Sequence, residues 1–188
     1  MATATRPRPA LVKQGDGSRC QWENCVAATH AVLVAYSTRL TKSIAPAAIR
    51  NYFGQFCPGI PFEVARNAVK ALRGVVMTIM YGLPWSTFIA GVTAGRGFDL
   101  SVLYSYFHGT PYDCYPGFNG RHSGAVTDIR YNTVLKRTEL LWYDPGADHR
   151  YSWVPQGPQW VPASLLLKAA QASSGLAGKV NCSATIEV

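Results

Sequence analysis

Helix-type spacing dominates the early part of this chain and strand-type patterning the later part. The two do not alternate as β-α-β units would require. That order predicts an α+β domain, an N-terminal helical half packed on a C-terminal antiparallel sheet. Residues 24–38 read as the first helix, with Cys25, Val26, Thr29, Val32, Leu33 and Tyr36 near one face. Asn24 is suited to cap it; a rival start is Ser18, whose spacing to Gln21 mimics a capping box. Further helices are expected over 45–53, 61–72, 85–94 and 162–172, several closed by glycine. Strands are expected over 75–81, 100–107, 124–131, 138–143 and 179–187. Residues 108–121 and 148–160 read as loops rich in aromatic and turn-forming residues.

With 188 residues, 48% of them apolar, the chain can bury one real core. No apolar run is long enough to span a bilayer. The first residues lack the apolar stretch of a signal peptide. They read instead as a basic, proline-interrupted arm over 1–13, either disordered or docked on a neighbouring subunit. Residues 14–188 read as a single domain. The net charge of +8 favours polyanions such as anionic cell-wall polymers or an acidic partner. The basic residues are scattered and match no nucleic-acid motif, so specific nucleic-acid binding is not expected.

Five cysteines occur, at 20, 25, 57, 114 and 182. No Cys-x-x-Cys or His-x-x-x-His spacing marks a metal site, and neither metal nor cofactor is expected. Cys57 and Cys182 lie among apolar residues and read as buried hydrophobes. Cys20 and Cys114 could pair. Cys25 opens the first helix, where the positive end of the helix dipole favours an anion. His122 stands at the head of one predicted strand and Asp144 at the end of the next. In an antiparallel pair both then lie at one edge of the sheet, where the first helix can present Cys25. A thiol at a helix start, a strand histidine and a carboxylate, in that order, are the parts of a nucleophile–base–orienter set. His30 and His149 read as bland, and His108 as a reserve base. Tyr112, Tyr115, Trp153 and Trp160 are candidate cleft walls.

The run Cys25-Val26-Ala27-Ala28-Thr29-His30-Ala31 resembles the nucleophile helix of papain-like cysteine peptidases. Val12-Lys13-Gln14-Gly15 resembles the segment that supplies their oxyanion-hole glutamine. His122 with Tyr143-Asp144-Pro145 is similar to the bacteriocin-processing transporter peptidases, where an Asp before Pro orients the histidine. The nearest resemblance is to papain-like proteins of actinobacterial phage tail regions. They share an Asn-Cys helix start, a Tyr-Asp-Cys loop, a Gly-x-His strand and an Asp-Pro-x-Ala-Asp turn, here beginning at Asn24, Tyr112, Gly120 and Asp144. The resemblance spans Gln14 to about Ala172.

One position departs from the pattern. The family's glutamine lies six residues before its nucleophile, and Arg19 stands there relative to Cys25. Either the loop carries an insertion and Gln14 or Gln21 serves Cys25, or Cys20, six residues after Gln14, is the nucleophile. The small residues after Cys25 favour Cys25. The resemblance implies a Cys25–His122–Asp144 peptidase or amidase of a phage tail, acting on host cell-wall peptides or a virion protein. It would be found in the virion, or in the host cytoplasm before assembly, with other tail proteins as partners. The alternative is a catalytically retired papain-like fold serving as a structural tail or baseplate protein.

Overall fold

The computed structural model describes residues 7–14, 23–52, 54, 59–146 and 157–185. Among these residues five α-helices, α1 (Cys25–Ser37), α2 (Pro46–Asn51), α3 (Phe62–Arg73), α4 (Trp85–Thr93) and α5 (Ala163–Ser174), pack on one six-stranded sheet. Its strands are β1 (Met77–Pro84), β2 (Phe98–Leu103), β3 (Arg121–Asn132), β4 (Arg137–Tyr143), β5 (Gln159–Pro162) and β6 (Lys179–Thr185). The spatial order is β1-β6-β2-β3-β4-β5, every neighbouring pair antiparallel. The mixed α+β class read from the sequence is the one observed.

Helices cover both faces of the sheet rather than one. On the first face α1, α2 and α3 build a cluster with Ala125, Leu141 and Tyr143. On the second, α4 and α5 build another with Leu100, Val126, Leu140 and Trp142. The side chains of β4 therefore alternate between two cores, which is why its inner stretch is apolar without interruption. Gly124 of β3 leaves the space that the Trp142 ring fills; a Cβ there would collide with the indole.

α1 is buried from Ala27 to Val34 without a break, so it has no solvent face. A helix apolar all round belongs in the core. Its two inward polar residues are satisfied in place. Thr29 donates to the Ser123 carbonyl at 3.1 Å. His30 Nδ1 lies 2.9 Å from Asp99 Oδ2 and 3.0 Å from the Val26 carbonyl. Ser123 donates to the other oxygen of Asp99. These contacts tie α1 to β3 and β2.

Three local differences from the sequence reading have plain causes. The strand expected over 100–107 is β2 followed by a 3₁₀ turn over Tyr104–Phe107. Tyr104 and Phe107 both point into the core, a spacing that a straight strand cannot supply. The aromatic loop read over 148–160 ends in the short edge strand β5, held by pairing to β4 rather than by its own pattern. The described part of the arm, residues 7–13, lies on its own domain. Arg8 sits 3.6 Å from Asp128 and over the Trp160 ring, and Leu11 and Val12 pack against the first core.

Candidate active site

β2 and β3 pair in register, with Val102 opposite His122. β3 and β4 pair with Ala125 opposite Tyr143, the residue before Asp144. The head of β3 and the end of β4 therefore share one sheet edge, as the strand order predicts. His122 Nε2 lies 2.8 Å from Asp144 Oδ1, and both side chains are buried. Cys25, at the start of α1, is among the groups that raise the affinity of the His122 ring for its proton. With Nε2 engaged by Asp144, Nδ1 is the nitrogen left to face the thiol. Cys25 is a free thiol and partly exposed. The three residues singled out in the sequence thus converge, a partly exposed thiol with two buried partners.

The electrostatics hold this pair charged. Burial alone would strip the proton from His122, but the Asp144 charge, its hydrogen bond and the Cys25 sulfur push the imidazole up to about 10. Burial likewise opposes ionisation of Asp144, yet its carboxyl is held below the ordinary range by the His122 charge and hydrogen bond, the Gly146 amide and the Trp142 indole. Asp144 Oδ1 accepts from His122 and from the Gly146 amide at 2.8 Å. Asp144 Oδ2 accepts from Tyr104 at 3.1 Å and Trp142 at 3.4 Å.

Gln14 is brought to the same place from the opposite direction. Its backbone amide donates to the Pro145 carbonyl at 2.9 Å, and its own carbonyl lies 3.5 Å from Asn24 Nδ2. Gln14 therefore lies between the turn after Asp144 and the residue before Cys25. Its side chain is buried, yet neither its amide nitrogen nor its oxygen has a hydrogen-bond partner. Natural proteins rarely leave such a group unpaired. Asn24 occupies the N-cap position without capping through its side chain. Its carbonyl side-chain oxygen instead accepts from Arg50, which also donates to the Glu23 carbonyl at 2.8 Å. Gln21 and Cys20 lie outside the described residues, as do Trp153 and His149.

Of the candidate cleft walls, Tyr115 lies beside His122, with ring centroids 6.4 Å apart. The sequence reading missed Phe118, which stacks on Tyr115 at 4.8 Å and stands 6.0 Å from His122. Tyr112 accepts from Arg137 at 3.0 Å, and Trp160 carries Arg130 on its face at 4.2 Å. His108, the reserve base, has both ring nitrogens engaged, by Asp113 at 3.0 Å and Asn119 at 3.2 Å. Cys114 is a free, buried thiol that accepts from Gln159 Nε2 at 2.8 Å. Among the described residues no group of three His, Cys, Asp or Glu side chains is placed to hold a metal ion. Among them, too, no helix is long and apolar enough to cross a membrane.

No protein-family model matches the chain, and no curated protein does. Solved structures do. A Bacillus anthracis protein described as a "putative C39-like peptidase" superposes with a TM-score of 0.58 at 10% identity, over 96% of this chain and 98% of that one. UfSP from C. elegans superposes with a TM-score of 0.51 at 12% identity, over 97% of this chain. This chain spans only 33% of the UfSP chain's length. At such identities the likeness is one of fold, and that fold is the papain-like α+β arrangement expected from the sequence.

Proposed function

We propose that the protein is a papain-like cysteine peptidase or amidase with Cys25 as nucleophile, His122 as base and Asp144 as its orienter. The observation that carries this reading is the convergence of a partly exposed thiol on a buried, charge-holding His–Asp pair. His122 takes the Cys25 proton at Nδ1, and the sulfur attacks a carbonyl carbon. Asp144 holds the ring at Nε2, fixing its orientation and stabilising the imidazolium. The carbonyl oxygen becomes an oxyanion, met by the Cys25 amide and the Gln14 side chain. Each such donor supplies roughly 3 kcal/mol of transition-state stabilisation. A buried amide without a protein partner, beside the nucleophile's helix start, is suited to that role, and it favours Gln14 over Gln21 for the oxyanion. His122 then protonates the leaving amine, and water enters to hydrolyse the thioester.

The substrate in this reading is a peptide amide of an anionic cell wall or of a virion protein. The resemblance of its motifs to those of phage tail-region proteins and the net charge of +8 support it. The protein would then travel in the virion tail, after assembly in the host cytoplasm among other tail proteins.

The test is the pH dependence of iodoacetamide labelling, mapped by mass spectrometry, on wild type and His122→Ala. Labelling at Cys25 that stays fast below pH 8 and slows in His122→Ala is the expected result. Slow labelling indifferent to His122 would mean a retired fold with a structural role. Labelling mainly at Cys20 would move the nucleophile there.

A further inference from the structure

We propose that Tyr104 is a positioning residue of this site, holding the Asp144 carboxylate in the plane that His122 requires. The inference rests on the reading of Cys25, His122 and Asp144 given above and extends it to a residue the sequence did not mark.

Tyr104 follows the last residue of β2, and its amide donates to the Gly120 carbonyl at 3.1 Å, beside the head of β3. It is fully buried. Its ring meets the His122 imidazole edge-on, centroids 5.1 Å apart and planes at 85°. Its hydroxyl donates to Asp144 Oδ2 at 3.1 Å. The Cys114 amide donates to that same hydroxyl at 2.8 Å.

These contacts give the hydroxyl a direction. A tyrosine oxygen has one proton and accepts through its lone pairs. Since the Cys114 amide occupies the acceptor side, the proton is left for Asp144. Burial pushes the hydroxyl's pKa up, so it remains a donor throughout the working pH range. An aspartate carboxylate turns easily about its last torsion, because that torsion is a broad one. Holding Oδ1 through His122 and Gly146 leaves the plane free to tilt unless Oδ2 is held as well. On Oδ2 the Trp142 contact is long, at 3.4 Å, and the Tyr104 hydroxyl is the shorter bond. Tyr104 also ties the 108–120 loop, through Cys114, to the same carboxylate. The charged and titratable groups around this centre are His122 of β3, Cys25 of α1, His108, Asp113, Cys114 and Tyr115 of the loop, and Asp99 of β2.

The experiment compares wild type with Tyr104→Phe, which removes the hydroxyl and keeps the ring. The exposed neighbour variant Tyr106→Phe serves as control. One lost hydrogen bond to a carboxylate is worth roughly tenfold. In Tyr104→Phe the acid limb of the Cys25 labelling profile is therefore expected to move up by about half a unit to one unit. Labelling at pH 6 is expected to fall roughly three- to tenfold. Tyr106→Phe should label as wild type. A Tyr104→Phe protein that is less stable but keeps the wild-type pH profile would overturn the proposal, since a merely structural tyrosine does just that. Should the variant fail to fold, NMR of the wild type decides. A slowly exchanging Tyr104 hydroxyl proton near the His122 ring, displaced in Asp144→Asn, is expected; no such proton would overturn the proposal. A wild-type Cys25 that labels slowly would sink the peptidase reading. In that case the His122 Nε2 proton shift decides on Tyr104: it moves in Tyr104→Phe if the inference holds and stays if it does not.

Discussion

The backbone amide of Gln14 donates to the carbonyl of Pro145 across 2.9 Å, pinning the end of the N-terminal arm to the turn that carries Asp144. The side chain beyond it is buried with no hydrogen-bond partner. Such a group costs folding free energy until something fills it. Gln14→Ala should therefore not lower the melting temperature. It should, however, weaken whatever depends on an oxyanion. Turnover of any amide substrate is expected to fall about a hundredfold or more. Binding of a small aldehyde such as N-acetyl-glycinal, whose hemithioacetal sets its hydroxyl where the oxyanion would form, should weaken likewise. Iodoacetamide labelling of Cys25, which forms no oxyanion, should be unchanged. Equal loss in both reactions would place Gln14 in structural support instead.

Gly146 sits where the Asp144 turn passes the imidazole. A Cβ there would lie 3.1 Å from His122 Cε1, 3.1 Å from Asp144 Oδ1 and 3.0 Å from Tyr115. Those neighbours are the hydrogen-bonded pair itself and a stacked ring, and none can retreat without cost. Gly146→Ala is expected to displace the imidazole and slow Cys25 labelling roughly tenfold, with a stability loss of about 1 kcal/mol. Labelling at the wild-type rate would mean that the turn can shift without moving His122.

The convergence of Cys25, His122 and Asp144 was legible because each is marked locally, by a helix start, a strand head and a strand end before Pro-Gly. Antiparallel pairing of neighbouring strands then suffices to bring the last two together. Gln14 was only half legible. It stands eleven residues before Cys25, not the six that the resemblance leads one to expect, and only the Pro145 contact, 131 positions downstream, shows which part of the fold it meets. Tyr104 gave no signal, since its role depends on a 3₁₀ turn and on three residues from distant segments. The place of β6 between β1 and β2 was invisible for the same reason: strand order is set by long-range pairing, not by local pattern. His30 reads as bland, and in the structure it is a buried histidine satisfied within the polar link that joins α1 to β2 and β3.

The His122–Asp144 pair makes stability depend on pH in a defined sense. His122 titrates at about 10 in the folded chain against an ordinary 6.5, so its contribution is complete below 6.5 and disappears as pH rises through about 10. Asp144 is held below its ordinary 3.8, so its contribution is present above 3.8 and lost as pH falls through the lower folded value. The difference in melting temperature between wild type and Asp144→Asn should therefore be greatest at about pH 4 to 6.5 and shrink towards pH 10. A pair worth about 1–3 kcal/mol moves a chain of this size by roughly 3–10 °C. A difference that stays flat from pH 5 to 10 would show that the pair is not ionised.

Arg50 of α2 is almost wholly buried and holds the helix start from outside the site. Its Nε donates to Asn24 Oδ1, and a terminal nitrogen donates to the Glu23 carbonyl at 2.8 Å. A guanidinium makes both bonds at once because its donors are fixed in one plane. A lysine has one nitrogen on a flexible stem and can satisfy only one of them with good geometry. Arg50→Lys should therefore behave as a disruptive change despite keeping the charge. About 1–3 kcal/mol of stability is expected to be lost, from a buried acceptor left unpaired. Cys25 labelling should slow as the start of α1 loosens, whereas Arg66→Lys on the surface of α3 should alter neither. Arg50→Lys with wild-type stability and labelling would mean that the start of α1 is held by its burial alone.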